Sequence, residues 1–155
     1  YNDWDGIPVS GSYYFLTELL REKYGFDGYV VSDSEAVEFV YSKHRVAQDM
    51  KGAVKQVVEA GLNVKTNFTQ PSDFVLPLRE LVAEGSVSMQ TLDRNVADVL
   101  RVKFRLGLFD SPYVTDTKAA DKIVASSDTK EFEKQMGRES LVLLKNEANL
   151  LPSIS

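Results

Sequence analysis

The stretch from residue 26 to residue 37 most constrains what this chain can fold into. Asp27-Gly28 predicts a turn, residues 29–32 are a short run of β-forming side chains, and a helical apolar periodicity begins directly after Asp33. An acidic side chain therefore stands where a buried parallel strand ends. In α/β folds the carboxyl ends of strands carry reactive groups, because the strands hold them rigidly while the loops vary. We predict Asp33 as the reactive residue.

The same spacing has a second interpretation. Ser32-x-x-Glu35 before an apolar run also fits a capping box, in which a hydroxyl and a carboxylate satisfy the free amides of a helix's first turn. Local spacing alone favours this capping role over catalysis. The choice between the catalytic and the capping interpretation depends on the residues around this stretch.

Composition excludes several classes of function. The 155 residues are 43% hydrophobic, which is typical of a soluble globular domain with a core. With 18 Lys+Arg against 23 Asp+Glu and no basic patch among aromatics, we expect no nucleic-acid partner and favour a neutral or polar small ligand. No apolar run approaches the length of a membrane span. Cys is absent and a single His is present, so thiol nucleophiles are excluded and we expect no zinc site built by the protein.

Strand and helix patterns alternate along the chain, which predicts an α/β fold with a parallel sheet. Strands are expected at residues 29–32, 62–64 and 141–144; helices are expected from residue 12 to a stop at Gly25, and over residues 35–42, 51–60, 73–84, 92–106 and 128–140. Asp73 and Asp128-x-x-Glu131 are predicted helix starts. After Phe109 the composition becomes polar, so we predict a first domain over residues 1–110, a linker over 111–127 and the start of a second domain over 128–155.

Six blocks spread along the chain carry a resemblance to a known family. They are YNxxDGxP from residue 1, LTxLLR from 16, YGFDGYVVSD from 24, EAGLN from 59, LRxKFxLGLF from 100 and ESLVLLKNE from 139. In this order the sequence resembles glycoside hydrolase family 3. The resemblance implies a (β/α)8 (TIM-type) barrel followed by an α/β sandwich. Because a closed barrel needs about 250 residues, this chain would hold the C-terminal portion of the barrel, a linker and the start of the sandwich, as an excerpt of a longer protein.

The resemblance also implies an activity, which is hydrolysis of a terminal β-linked sugar of an oligosaccharide with retained stereochemistry. Asp33 would be the nucleophile and Tyr1 a substrate contact. The acid/base carboxylate and a sugar-holding Lys-His pair would lie in the missing remainder of the chain. No cofactor is implied, and family members often act in the periplasm or outside the cell. With these blocks included, catalysis is favoured over capping at Asp33.

Several alternatives stay open at the level of sequence. Ser34 follows Asp33 where many family members carry Trp, so xylose and glucose are both candidate sugars, with a slight preference for xylose. Glu35 is rejected as the second carboxylate, and Lys43-His44 is interpreted as surface cations. Polar residues after the second strand belong either to the site rim or to a solvated loop; they are Asn63, Lys65 and Asn67.

Two other functions compete with a glycosidase. One is a non-catalytic carbohydrate-binding or scaffold module of the same fold. The other is an inert fragment, since an unfinished barrel exposes sheet edges and apolar helix faces. We therefore expect the isolated 155 residues to hydrolyse no glycoside and to aggregate.

Overall fold

The computed structural model describes residues 1–66, 68–149 and 151. The chain divides into two compact units, Tyr1–Asp110 and Ser111–Ser155. The first unit is a helix-rich α/β arrangement with a hydrophobic core, and the second is helical with exposed side chains. None of the helices in the described ranges has the length and apolar character needed to cross a membrane.

The first unit opens with a tight hairpin. Strands β1 (Asp3–Trp4) and β2 (Ile7–Pro8) pair antiparallel, with Asp3 opposite Pro8 and Trp4 opposite Ile7. The two turn residues, Asp5 and Gly6, have φ of 49° and 79°, which matches the left-handed backbone of a two-residue hairpin turn. A 3-10 turn over Val9–Gly11 leads into the helix Tyr14–Lys23.

The helix Tyr14–Lys23 is wound as a π-helix, with i→i+5 hydrogen bonds, a form that is rare at this length. Its end confirms the predicted stop, because Gly25 has a φ of 68° and its N–H donates to the carbonyl of Arg21.

Helices α1 (Glu38–Ser42), α2 (Met50–Ala60), α3 (Ser72–Ala83) and α4 (Met89–Arg105) follow. Side-chain oxygens cap two of them: Asp49 accepts the N–H of Gly52, and Ser88 accepts the N–H of Thr91. The prediction of Asp73 as a cap is wrong. Pro71, with a φ of −55°, precedes α3 without a side-chain cap, since proline is already preset for the helical backbone.

Helix α2 is the centre of the core. Its residues Ala53, Val54, Val57 and Val58 lie on one face at helical spacing and are buried. The surrounding core residues come from the π-helix, α1, α3 and the segments next to them; they are Leu16, Val37, Val40, Leu62, Leu81 and Val87. The core therefore holds the chain on both sides of Asp33, because Val30 packs against it on one side and Val37 and Val40 are completely buried on the other.

The predicted strands at 29–32 and 62–64 meet in one short parallel bridge between Val31 and Val64. The N–H of Ser32 donates to the carbonyl of Val64 at 2.8 Å, and the N–H of Val64 donates to the carbonyl of Val30 at 3.1 Å. The expected burial on both faces is wrong for Val31, which is 47% exposed. Within the described residues no further strand lies beside Val31 to cover it.

The second unit contains α5 (Thr117–Val124) and α6 (Ser127–Ser140). Helix α5 lies in the predicted linker. Helix α6 begins as expected, but Ser126 caps it by accepting the N–H of Thr129, so the predicted Asp128–Glu131 start is wrong. The third predicted strand, residues 141–144, is also wrong. These residues have no regular structure and are 61% to 92% exposed, because nothing in the described part of this unit pairs with them.

An exposed ion pair fastens the turn before Asp33 to the end of α4. The Arg105 guanidinium binds both carboxylate oxygens of Asp27, at 2.9 and 2.5 Å, and Arg101 donates to the Asp27 carbonyl at 2.7 Å. The hydrogen bond from Arg105 holds the pKa of the Asp27 carboxyl below its usual value.

The Asp27 pair predicts a defined pH dependence. Because the folded-state pKa of Asp27 is lowered, its stabilisation is present above the unfolded value of 3.8 and is lost as the pH falls through the folded value. Asp27→Asn should therefore lower the thermal midpoint at neutral pH, with a smaller effect at a pH well below 3.8. High salt should shrink the neutral-pH effect. Equal losses at both pH values would contradict the assignment.

Gly61 and Gly85 provide a matched test of helix ends. Gly61 has a φ of 102° and a Cβ there would lie 2.9 Å from Thr17 Oγ1, whereas Gly85 has a φ of 74° and open space. Gly85→Ala should cost about 1 kcal/mol of unfolding free energy from backbone strain alone. Gly61→Ala should cost about 2 to 3 kcal/mol, since the clash adds to the strain. Urea denaturation measures the unfolding free energy of both variants. Equal losses would show that the Thr17 side chain moves aside for the added Cβ.

Candidate active site

Asp33 follows the parallel bridge and carries an exposed carboxylate. Its Oδ1 accepts the N–H of Ser34 at 2.7 Å, and its carbonyl accepts the N–H of Ala36 at 3.2 Å. The structure thus places Asp33 where the sequence predicts it, at the point where the first paired segment reaches the surface. The neighbouring Ser32 is buried, so the backbone directly before the Asp33 carboxylate is held in place.

The capping interpretation of Ser32 and Glu35 is wrong. The Ser32 hydroxyl accepts the N–H of Thr66, at 3.1 Å, across the parallel bridge. Helix α1 begins only at Glu38, and its first residues have no side-chain cap. The Ser32 oxygen therefore stabilises the pairing of two chain segments and does not serve a helix start.

Tyr1, the first residue of the sequence, lies next to the turn that contains Asp33. Its hydroxyl donates to the carbonyl oxygen of Ser34, and its ring packs edge-on against Phe39 with the centroids 5.2 Å apart. Partial burial raises the pKa of the Tyr1 phenol, and the negative charges of Asp33 and Glu35 raise it further. The phenol therefore remains a neutral hydrogen-bond donor beside the carboxylates.

The backbone of Glu35 is unusual for its residue type. Its φ is 63°, in the left-handed region that non-glycine residues seldom adopt, and its carbonyl accepts the N–H of Phe39 at 2.9 Å. Such conformations cost of order 1 to 3 kcal/mol and occur where the surroundings hold them in place, often at functional sites. The Glu35 side chain is exposed.

The Lys43-His44 prediction is confirmed in part. Lys43 is exposed, with its Nζ 5.4 Å from the centroid of the Phe39 ring. The prediction of a surface position is wrong for His44, which is half-buried against α1 and whose backbone N–H donates to the carbonyl of Phe39. Within the described chain its Nε2 is enclosed and has no hydrogen-bond partner.

The polar residues after the second paired segment separate into different roles. Lys65 does not belong to a solvated loop: its side chain is 7% exposed and its Nζ lies 2.7 Å from Glu38 Oε1. Asn67 lies outside the described residues. Sequence reasoning missed Glu38 as the partner of Lys65 and Phe39 as the ring that supports Tyr1.

Asn63 serves the scaffold and is not part of the site rim. Its Oδ1 accepts from Arg21 Nη2 at 2.7 Å and from the Val30 N–H at 2.8 Å. Its Nδ2 donates to the Asn95 carbonyl at 3.0 Å and to Asp98 Oδ2 at 3.1 Å. One amide thus joins the π-helix, the strand before Asp33 and α4.

The described residues contain no candidate metal site. Among the residues that the structure describes, no group of three His, Asp or Glu side chains could hold a metal ion. The chemistry available at the Asp33 turn is that of a carboxylate, a neutral phenol and main-chain amides.

Comparison with known proteins identifies the family. Residues 1–102 match the glycosyl hydrolase family 3 N-terminal domain. The chain belongs to this family. The resemblance drawn from the six sequence blocks is therefore confirmed.

Glycosyl hydrolase family 3 relatives match nearly the whole chain. A putative β-xylosidase of Formosa agariphila is 36% identical over 98% of this chain and 20% of its own length. The lysosomal β-glucosidase of Dictyostelium discoideum is 33% identical over 96% of this chain and 18% of its own length. The β-glucosidase structure from Listeria innocua superposes with a TM-score of 0.79 at 33% identity, covering 97% of this chain and 20% of that one. The chain thus spans about a fifth of the relatives it matches.

The Asn63 junction predicts a charge-specific loss of stability. Asn63→Asp keeps the acceptor for Arg21 but replaces the two donors with a second carboxylate beside Asp98, which is itself buried. The variant should lose about 2 kcal/mol or more of unfolding free energy, because two donated hydrogen bonds are lost and the two carboxylates repel each other. Asn146→Asp, at an exposed turn in the second unit, is the control. Similar losses in both variants would contradict the junction's importance.

Proposed function

We propose that this chain is part of a retaining, exo-acting β-glycosidase that hydrolyses terminal β-linked xylose or glucose from oligosaccharides through a covalent glycosyl-enzyme on Asp33. One observation carries the proposal. In a family 3 chain, an exposed aspartate follows a buried, hydrogen-bonded residue at the carboxyl end of a parallel pairing, beside a neutral tyrosine.

Retaining hydrolysis explains why a carboxylate is needed there. One carboxylate attacks the anomeric carbon while a second carboxylic acid, about 5 to 5.5 Å away, protonates the leaving oxygen. The first must be ionised, and the N–H of Ser34 donates to its Oδ1. The acid belongs to a part of the protein beyond these residues. Water then attacks the glycosyl-enzyme, and the acid, now a carboxylate, accepts its proton.

Tyr1 is proposed as a substrate contact. Its hydroxyl is hydrogen-bonded to the Ser34 carbonyl, which places the ring beside the Asp33 turn, and the Phe39 ring supports it from one edge. Aromatic rings offer apolar faces to the C–H bonds of a sugar, while a phenol oxygen can accept from a sugar hydroxyl.

The domain organisation belongs to the same proposal. Residues 1–110 form the C-terminal portion of a (β/α)8 barrel, residues 111–127 a linker and residues 128–155 the start of an α/β sandwich. The parallel bridge at Val31–Val64 with helices following each segment supports the barrel, and the boundary between the two compact units after Asp110 supports the division. The exposed edge at Val31 would be covered by strands of the remaining chain.

The sugar is proposed from position 34 and from the relatives. Relatives include β-xylosidases and β-glucosidases, and solved structures of relatives include the Listeria innocua β-glucosidase with laminaribiose and an exo-β-xylosidase with a xylobiose aziridine probe. Ser34 leaves no bulky apolar wall beside Asp33, which supports a slight preference for xylose over glucose.

Labelling with activated 2-fluoro xylosides and 2-fluoro glucosides tests the function in the full-length protein. Fluorine slows breakdown of the glycosyl-enzyme, so peptide mass spectrometry should find the sugar on Asp33, and the faster-reacting sugar identifies the substrate class. Asp33→Asn should abolish labelling and lower kcat at least about a thousand-fold.

Glu35→Gln is the matched control, since this carboxylate lies two residues away, and it should keep the label on Asp33. A sugar on another carboxylate, or no reaction with either probe, would contradict the nucleophile assignment and favour a non-catalytic sugar-binding role.

A further inference from the structure

Three consecutive residues of the second paired segment hold both ends of the Asp33 turn. The carbonyl of Val64 accepts the N–H of Ser32 at 2.8 Å, and the N–H of Thr66 donates to the Ser32 hydroxyl at 3.1 Å. Between them in sequence, Lys65 Nζ lies 2.7 Å from Glu38 Oε1. Residue 32, directly before Asp33, and residue 38, five residues after it, are thus bound to one short stretch of chain.

The Lys65–Glu38 ion pair is largely buried. Its side chains are 7% and 18% exposed, whereas Lys51, which pairs with Glu84 at 2.6 Å, is 32% exposed and its partner 53%. A buried pair gains little net stability, since desolvation offsets the attraction, but it fixes the geometry of its two partners strongly. A lysine side chain also loses considerable conformational entropy on burial. A role in geometry therefore explains the pair better than a role in stability.

The turn between the two anchors contains the strained backbone of Glu35, with its φ of 63°. Strain of this kind persists only where the surrounding structure holds both flanks. Ser32 is buried on one flank, and on the other flank Val37 is completely buried beside Glu38. The ion pair ties the start of α1 to the second segment on that flank.

We propose that Lys65 and Glu38 form a positioning clamp that fixes the direction of the Asp33 carboxylate; this inference rests on the proposed function. Neither residue is assigned contact with the sugar. The clamp holds the turn in its strained form, so that the nucleophile is already aligned before substrate binds. Without it the turn relaxes and the attacking oxygen is displaced, and a displacement of about 1 Å can cost about a hundred-fold in rate.

The test compares variants of the full-length protein. Lys65→Met keeps the length of the side chain and removes its charge, and Lys65→Arg keeps the charge. Lys51→Met removes the exposed pair on α2 and is the matched control. For each, kcat, KM, the rate of 2-fluoro sugar labelling at Asp33 and the thermal midpoint are measured.

Lys65→Met should lower kcat and the labelling rate about 10- to 100-fold, with KM changed by less than about three-fold. Lys65→Arg should recover most of the loss, and Lys51→Met should match the unmutated protein. If Lys65→Met does not fold, Glu38→Gln, which keeps the shape and removes the charge, should show the same kcat loss. Hydrogen exchange at the amides of residues 33–37 should become faster in the affected variant.

Two results overturn the clamp. One is a labelling rate in Lys65→Met within two-fold of the unmutated protein; the other is a kcat for Lys65→Arg no better than for Lys65→Met. These results leave the proposed function intact, provided that Asp33 is labelled in the unmutated protein. Absence of that label overturns the proposed function itself, and the catalytic role of the clamp with it.

Discussion

The side-chain amide of Asn63 makes four hydrogen bonds, two through each polar atom, and much of the first unit depends on them. They fasten the π-helix, through Arg21, and α4, through Asn95 and Asp98, to the segment that leads into Asp33. Removing any of these partners would leave a desolvated polar group behind, which makes each hydrogen bond costly to lose. The segment that leads into Asp33 is therefore anchored to the π-helix and to α4 through one side chain.

Around this junction, the site is assembled from segments far apart in sequence. Tyr1 reaches the carbonyl of Ser34, Thr66 reaches the hydroxyl of Ser32, and Lys65 reaches Glu38. Each contact joins a reactive or neighbouring residue to main-chain or buried partners. The apolar face of α2 beneath them keeps these segments at fixed positions.

The sequence allowed the helices and the location of Asp33 to be predicted, because apolar spacing and glycine stops are local signals. Gly25 and the face of α2 show this directly. The role of Asn63 and the pairing of Lys65 could not be predicted from the sequence, since both depend on partners 27 to 42 residues away. The strand predicted at 141–144 failed for a related reason: a β-rich run becomes a strand only where a partner strand exists.

The hydrogen bond between Tyr1 and Ser34 uses the main-chain carbonyl of Ser34 and leaves its side chain uninvolved. The side chain at position 34 can therefore change without loss of the contact that holds Tyr1 in place. Under the proposed function, a substitution at position 34 could alter the surface offered to a sugar while the contact that positions Tyr1 is retained. The turn would then combine a constant main-chain contact with a variable side chain.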